Sequence, residues 1–173
     1  MLGKYDNFPP NIHFIESFTS KLINKQLQQK LVQTLHDMNR KPFRFEEIAI
    51  PTIPNSEVIF EFGIAEDDGF NFLDEEETTK TLNMLQTEAV ASLDFFCAIR
   101  YYKVSAQKKT ALKFDYYMFK TGFASKTHEF QVFHKQGPRY ISPEELVTFV
   151  IEKINKTSNK RVLIKIEQEN GEF

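Results

Sequence analysis

Cations and aromatic rings alternate along residues 100–140, a composition suited to stacking rings and attracting negative charge. This segment holds nine Lys or Arg against two acidic residues, a net charge of +7. Bases of single-stranded nucleic acid stack on aromatic side chains while cations follow the phosphates, and exposed rings also anchor protein interfaces. The candidate binding residues are Arg100, Tyr102, Lys113, Tyr117, His134, Lys135, Arg139 and Tyr140.

Residues 41–94 carry the opposite charge, with thirteen Asp or Glu against three Lys or Arg, a net charge of −10. Two interpretations follow. The two segments could lie side by side and neutralise each other, with most of the rings in the core. Alternatively, they could form separate surfaces that meet in a homodimer or dock a charged partner. The whole chain has a net charge of −2, without the basic excess typical of nucleic-acid-binding proteins.

The loop from His134 to Tyr140 is a second candidate site. It places two cations, an imidazole and a phenol directly before a predicted helix. Free amides at a helix N-terminus favour anions, so the loop could hold a phosphate or a carboxylate. The alternative is a plain connection whose cations are exposed to solvent.

Catalytic and metal-binding patterns are missing from the sequence. His128 and His134 share a predicted strand face, but six residues of extended chain separate them by ~20 Å, too far to bind one metal. Helix capping explains the glutamates at 75–77, and no glycine-rich nucleotide motif or nucleophile motif occurs. The sequence therefore predicts no catalytic residue, metal ligand or cofactor. An enzyme that acts on an anionic substrate near 134–140 ranks third among the functional hypotheses.

Three amphipathic segments must support these candidates. Leu27, Leu31 and Leu35 recur at the helical period in the first segment. The run Ser142-Pro143-Glu144-Glu145 starts the third segment, because it combines an N-cap, a proline in the first turn and a reciprocal glutamate. The predicted helices cover residues 25–39, 75–90 and 143–155.

Alternating or continuous apolar runs predict about seven strands. The three strands within residues 94–135 form an antiparallel meander that contains most of the candidate binding residues. The fold class is therefore α+β, with an antiparallel or mixed sheet and helices packed on one of its faces. The predicted strands cover residues 12–18, 45–53, 57–64, 94–104, 111–121, 127–135 and 161–167.

Length and composition favour one globular domain over residues 1–173, with frayed ends at 1–10 and 168–173. The single cysteine, Cys97, and the lack of a long apolar run favour a reducing, cytoplasmic environment without membrane insertion. The leading functional hypothesis is a non-catalytic interaction or assembly module. It would bind a protein partner or self-associate through the aromatic and basic meander. Single-stranded nucleic acid binding by the same strands is the alternative.

Overall fold

A computed structural model describes residues 1–166, which form a nine-stranded sheet and three helices. The α+β class and all three helices are confirmed, and their ends lie within three residues of the predicted ones. The helices are α1 (Asn24–Met38), α2 (Glu75–Thr87) and α3 (Pro143–Thr157). The strands are β1 (Phe14–Ser20), β2 (Pro42–Arg44), β3 (Ser56–Glu66), β4 (Gly69–Phe72), β5 (Ser92–Ser105), β6 (Lys108–Ala111), β7 (Asp115–Phe123), β8 (Thr127–Gln136) and β9 (Leu163–Lys165).

The strand order is β2-β3-β5-β7-β8-β1-β9, and every ladder between these strands is antiparallel. The predicted meander forms its centre, since β5, β7 and β8 are neighbours. Short strands β4 and β6 pair with β3 and β5. Both escaped prediction because each has only four residues, and β6 is exposed along its length.

The strand predicted over residues 45–53 is wrong. Phe45–Glu47 forms a single 3₁₀ turn in which the carboxylate of Glu47 accepts the backbone N–H of Arg44 at 2.7 Å. This local hydrogen bond competes with strand pairing. The run also contains Pro51, which has no N–H to donate to a neighbouring strand.

The helices cover one face of the sheet and bury its alternate side chains. In β3, Val58, Phe60 and Phe62 are fully buried, whereas Glu57 and Glu61 are half-buried on the opposite side. The side chains of the covered face join those of α1 and α3 in one hydrophobic core. The opposite side of the sheet, which carries no helix, is called the outer face below.

Residues 1–6 are attached to the sheet, in contrast to the predicted frayed end over residues 1–10. The N–H of Gly3 donates to the carbonyl of Ala65 at 2.7 Å, and its carbonyl accepts the N–H of Asp94 at 2.7 Å. The N–H of Asp6 donates to the carbonyl of Asp67 at 2.8 Å. The second predicted frayed end, 168–173, lies outside the described residues. In residues 1–166 no helix is both long enough and apolar enough to cross a membrane.

Candidate functional site

The eight candidate binding residues occupy different parts of the fold. Two lie on the outer face, one lies in the core, one follows β6, and four lie at the end of β8 and in the loop after it. Arg100 and Tyr102 are the two on the outer face, Tyr117 is the one in the core, and Lys113 follows β6. The four at the end of β8 and in the next loop are His134, Lys135, Arg139 and Tyr140. The segment 100–140 therefore does not form one continuous binding surface.

Tyr117 is removed from the set of binding residues, because its side chain is fully buried. It projects from β7 toward the helices, where its hydroxyl donates a hydrogen bond to the carbonyl of Ile141. The neighbouring Tyr116 and Met118 project from the same strand to the outer face, as the period of two requires. Burial also raises the pKa of Tyr117, so its hydroxyl remains a donor at neutral pH.

A row of aromatic rings crosses the outer face from the N-terminal residues to β7. Adjacent ring centroids are separated by 4.7 Å between Tyr5 and Phe70, 5.5 Å between Phe70 and Phe96, 5.3 Å between Phe96 and Tyr116, and 4.9 Å between Tyr116 and Phe114. Phe114 is 36% exposed and the other four rings are half-buried. These five rings are called the aromatic row. None of the five is among the eight candidate binding residues. Phe114 and Tyr116 belong to the aromatic and basic segment 100–140, whereas Tyr5, Phe70 and Phe96 lie outside it.

Two cations beside the aromatic row, Arg100 and Lys109, are paired with carboxylates. Because β3 lies next to β5, acidic side chains of the first charged segment meet basic side chains of the second. The guanidinium of Arg100 bonds the carboxylate of Glu61 and lies 5.6 Å from the ring centre of Phe114. The ammonium of Lys109 lies 2.7 Å from Glu57. This geometry favours mutual neutralisation over two separate charged surfaces.

The N-terminal residues cross the outer face above an ion pair whose carboxylate is buried and whose ammonium is partly exposed. Asp94 is fully buried, and its carboxylate accepts hydrogen bonds from the ammonium of Lys120 and the N–H of Tyr5, both at 2.8 Å. The ring of Phe8 covers Lys120, with 4.6 Å from the ammonium to the ring centre. This N-terminal segment leads into β1. No helix within the described residues covers the outer face around Tyr116.

Asp115 organises the loop before α3. Its carboxylate is fully buried and has four hydrogen-bond donors. One oxygen accepts from Nε2 of His134 at 2.9 Å and from the N–H of Arg139 at 2.7 Å. The other accepts from the N–H of Tyr140 at 3.1 Å and from the hydroxyl of Tyr101. Sequence reasoning did not select Asp115 as a candidate. The signal that could have identified it is its position as a charged residue on the same predicted strand face as Tyr117 and Phe119.

This cluster is structural rather than catalytic in its geometry. Asp115 has no exposed carboxylate oxygen for a substrate to reach, and burial raises the pKa of Tyr101, which keeps that hydroxyl protonated. At the start of α3, the hydroxyl of Ser142 accepts the N–H of Glu145. The N–H groups of Arg139, Tyr140, Ile141, Ser142 and Glu145 therefore already have acceptors within the chain, so an anion held by this loop would depend on its side chains rather than on free amides.

No cluster of three or more His, Cys, Asp or Glu within residues 1–166 could hold a metal ion. A cleft of about 450 Å³ lies between the start of β3 and the turn after β5. Arg44, Glu46 and Glu57 line it, so it contains both signs of charge without a convergent donor set. No family model, curated protein or solved structure that was compared with this chain matches it.

Proposed function

We propose that this protein self-associates through the outer face of its sheet, with the aromatic row at the centre of the contact. The observation that carries the proposal is a continuous row of four half-buried rings and one exposed ring on a sheet face that no helix of residues 1–166 covers. Aromatic side chains in a partly desolvated patch are the usual anchors of protein interfaces. An apolar face of this kind gains free energy when a second surface removes its remaining area from water.

Dimensions of the face suit a dimer. β3, β5, β7, β8 and β1 lie side by side, which spans ~20 Å at the usual strand spacing, and the nine residues of β7 extend ~30 Å. This face, of which the N-terminal residues cover a part, is of the same order of area as the ~800 Å² that each partner buries in a stable complex. Residues around the aromatic row can therefore supply an interface of ordinary size.

The paired charges favour a second copy of this chain as the partner. A two-fold interface places one patch against itself, so the patch must contain both donors and acceptors, or both signs of charge. Arg100 with Glu61 and Lys109 with Glu57 meet that requirement. A polyanion would instead need unpaired cations along the rings.

Sedimentation velocity over a range of protein concentrations tests the proposal. The wild-type mass should rise toward that of a dimer, and Tyr116→Ser combined with Phe114→Ser should keep the protein monomeric. Ile50→Ser is the matched control, because Ile50 is 85% exposed and lies beside α3 on the helix side of the sheet. Circular dichroism establishes that both variants are folded.

A wild-type protein that remains monomeric at all concentrations would refute self-association, as would a ring variant that associates like wild type. Single-stranded nucleic acid binding is the competing function for the same rings. Binding of a labelled oligonucleotide that weakens steeply with added salt, and that the ring substitutions abolish, would support that function instead.

A further inference from the structure

Two arginines hold a left-handed backbone conformation that most side chains avoid. The φ angle is 61° at Arg40 and 59° at Arg139. Within residues 1–166, the other non-glycine residues with positive φ are Asn55, Asp67 and Asn159, whose short polar side chains tolerate this region. Arginine in this conformation is a local cost, and such costs concentrate at positions with a functional role.

Arg40 is accounted for by a contact within the chain. Its guanidinium lies 4.6 Å from the ring centre of Phe72, a cation–π arrangement. The side chain of Arg139 is exposed and makes no hydrogen bond, ion pair or ring contact within residues 1–166. The fold therefore fixes the backbone of Arg139, through its N–H to Asp115, and leaves the guanidinium available to a partner outside the chain.

Further donors are carried by His13, which contacts His134, and by Lys135, the next residue of β8. Nδ1 of His13 accepts the N–H of His134 at 2.9 Å, so neutral His13 carries its proton on Nε2, and the residue is exposed. Lys135 is exposed, and within the described part of the chain it has no ion pair. Partial burial together with the positive charges of Arg139 and His134 lowers the pKa of His13, consistent with a positive local field.

We propose that His13, Lys135 and Arg139 form a binding site for an oxyanion of the phosphate type. A guanidinium offers two parallel N–H donors that match two phosphate oxygens, and an ammonium and an imidazole N–H satisfy the others. The carboxylate of Asp115 is buried and already bonded to four donors, so it does not compete for these groups. Sequence reasoning placed Lys135 and Arg139 near each other, but only the pairing of β1 with β8 brings His13 to them.

Nuclear magnetic resonance titration of the full chain with inorganic phosphate tests the site, with sodium chloride at equal ionic strength as the reference. Phosphate should produce saturable shifts of the Arg139 Nε–H and the His13 ring. Arg139→Asn should weaken this binding about tenfold or more, yet its melting temperature should equal or exceed that of wild type, because asparagine relieves the backbone strain.

Arg40→Asn is the matched control, since it makes the same change at the other left-handed arginine. It should lower the melting temperature through loss of the Phe72 contact and leave phosphate affinity unchanged. Equal shifts with phosphate and chloride would overturn the proposal, and so would an Arg139→Asn variant that binds phosphate as tightly as wild type. Acetate that binds as tightly as phosphate would overturn the assignment to a phosphate-type anion.

Discussion

Nε2 of His134 lies 2.9 Å from Oδ1 of Asp115, and this contact ties the end of β8 to the start of β7. The same oxygen accepts the N–H of Arg139, and the second oxygen accepts the hydroxyl of Tyr101 from β5. One buried carboxylate thus joins three strands and the loop before α3. The loop approaches so closely that a β-carbon on Gly137 would overlap the carboxylate, and Gly137 has a φ of 116°.

Asp115→Asn should destabilise the protein by about 3 kcal/mol, because one carboxylate oxygen is replaced by an NH₂ group that faces hydrogen-bond donors. The free energy of unfolding from urea denaturation measures the loss. Asp68→Asn is the control: Asp68 is exposed, so this change should stay within ~0.5 kcal/mol of wild type. If both variants unfold at the same urea concentration, Asp115 does not have the anchoring role assigned to it.

Asp94→Ala should loosen the N-terminal residues on the outer face. It removes the acceptor of the Tyr5 N–H and the partner of Lys120, so the Tyr5 amide should exchange with deuterium at least ~10-fold faster. Because Asp94 is buried but Lys120 is partly exposed, the free energy of unfolding should fall by about 2 kcal/mol. Asp6→Ala, at an exposed neighbouring side chain, should leave this amide protected. Unchanged exchange in Asp94→Ala would show that other contacts hold the segment.

The helices and central strands were predictable because one-sided burial imposes a period on the sequence. Leu27, Leu31 and Leu35 are all buried in α1, as their spacing required. The motif that starts α3 is also present, with Ser142 and Glu145 bonding each other's backbone N–H groups. Such signals depend only on residues close in sequence, so they can be recognised without knowledge of the strand order.

The surface was less predictable, because period two separates two faces of a strand without saying which one is covered. In β7 both sets are aromatic, so hydrophobicity alone could not distinguish the buried Tyr117 from the half-buried Tyr116. Contacts across strands were also out of reach. The bonds from Asp115 to Tyr101 and to His134 depend on the register of β7 with its neighbours, which the sequence does not specify.

His128 should make stability fall as the pH drops through mildly acidic values. Its side chain is 2% exposed, and burial lowers its pKa from 6.5 to about 4. Below pH 6.5 the unfolded chain gains a proton that the folded chain does not accept until about pH 4. The folded state therefore loses about 3 kcal/mol between these values and keeps its full stability above pH 6.5. The measurement is urea denaturation at pH 7 and pH 4.5, where His128→Leu should lose less stability than wild type. His13→Gln, at an exposed histidine whose pKa is lowered less than that of His128, should change the slope less than His128→Leu does, and equal slopes for wild type and His128→Leu would contradict the assignment.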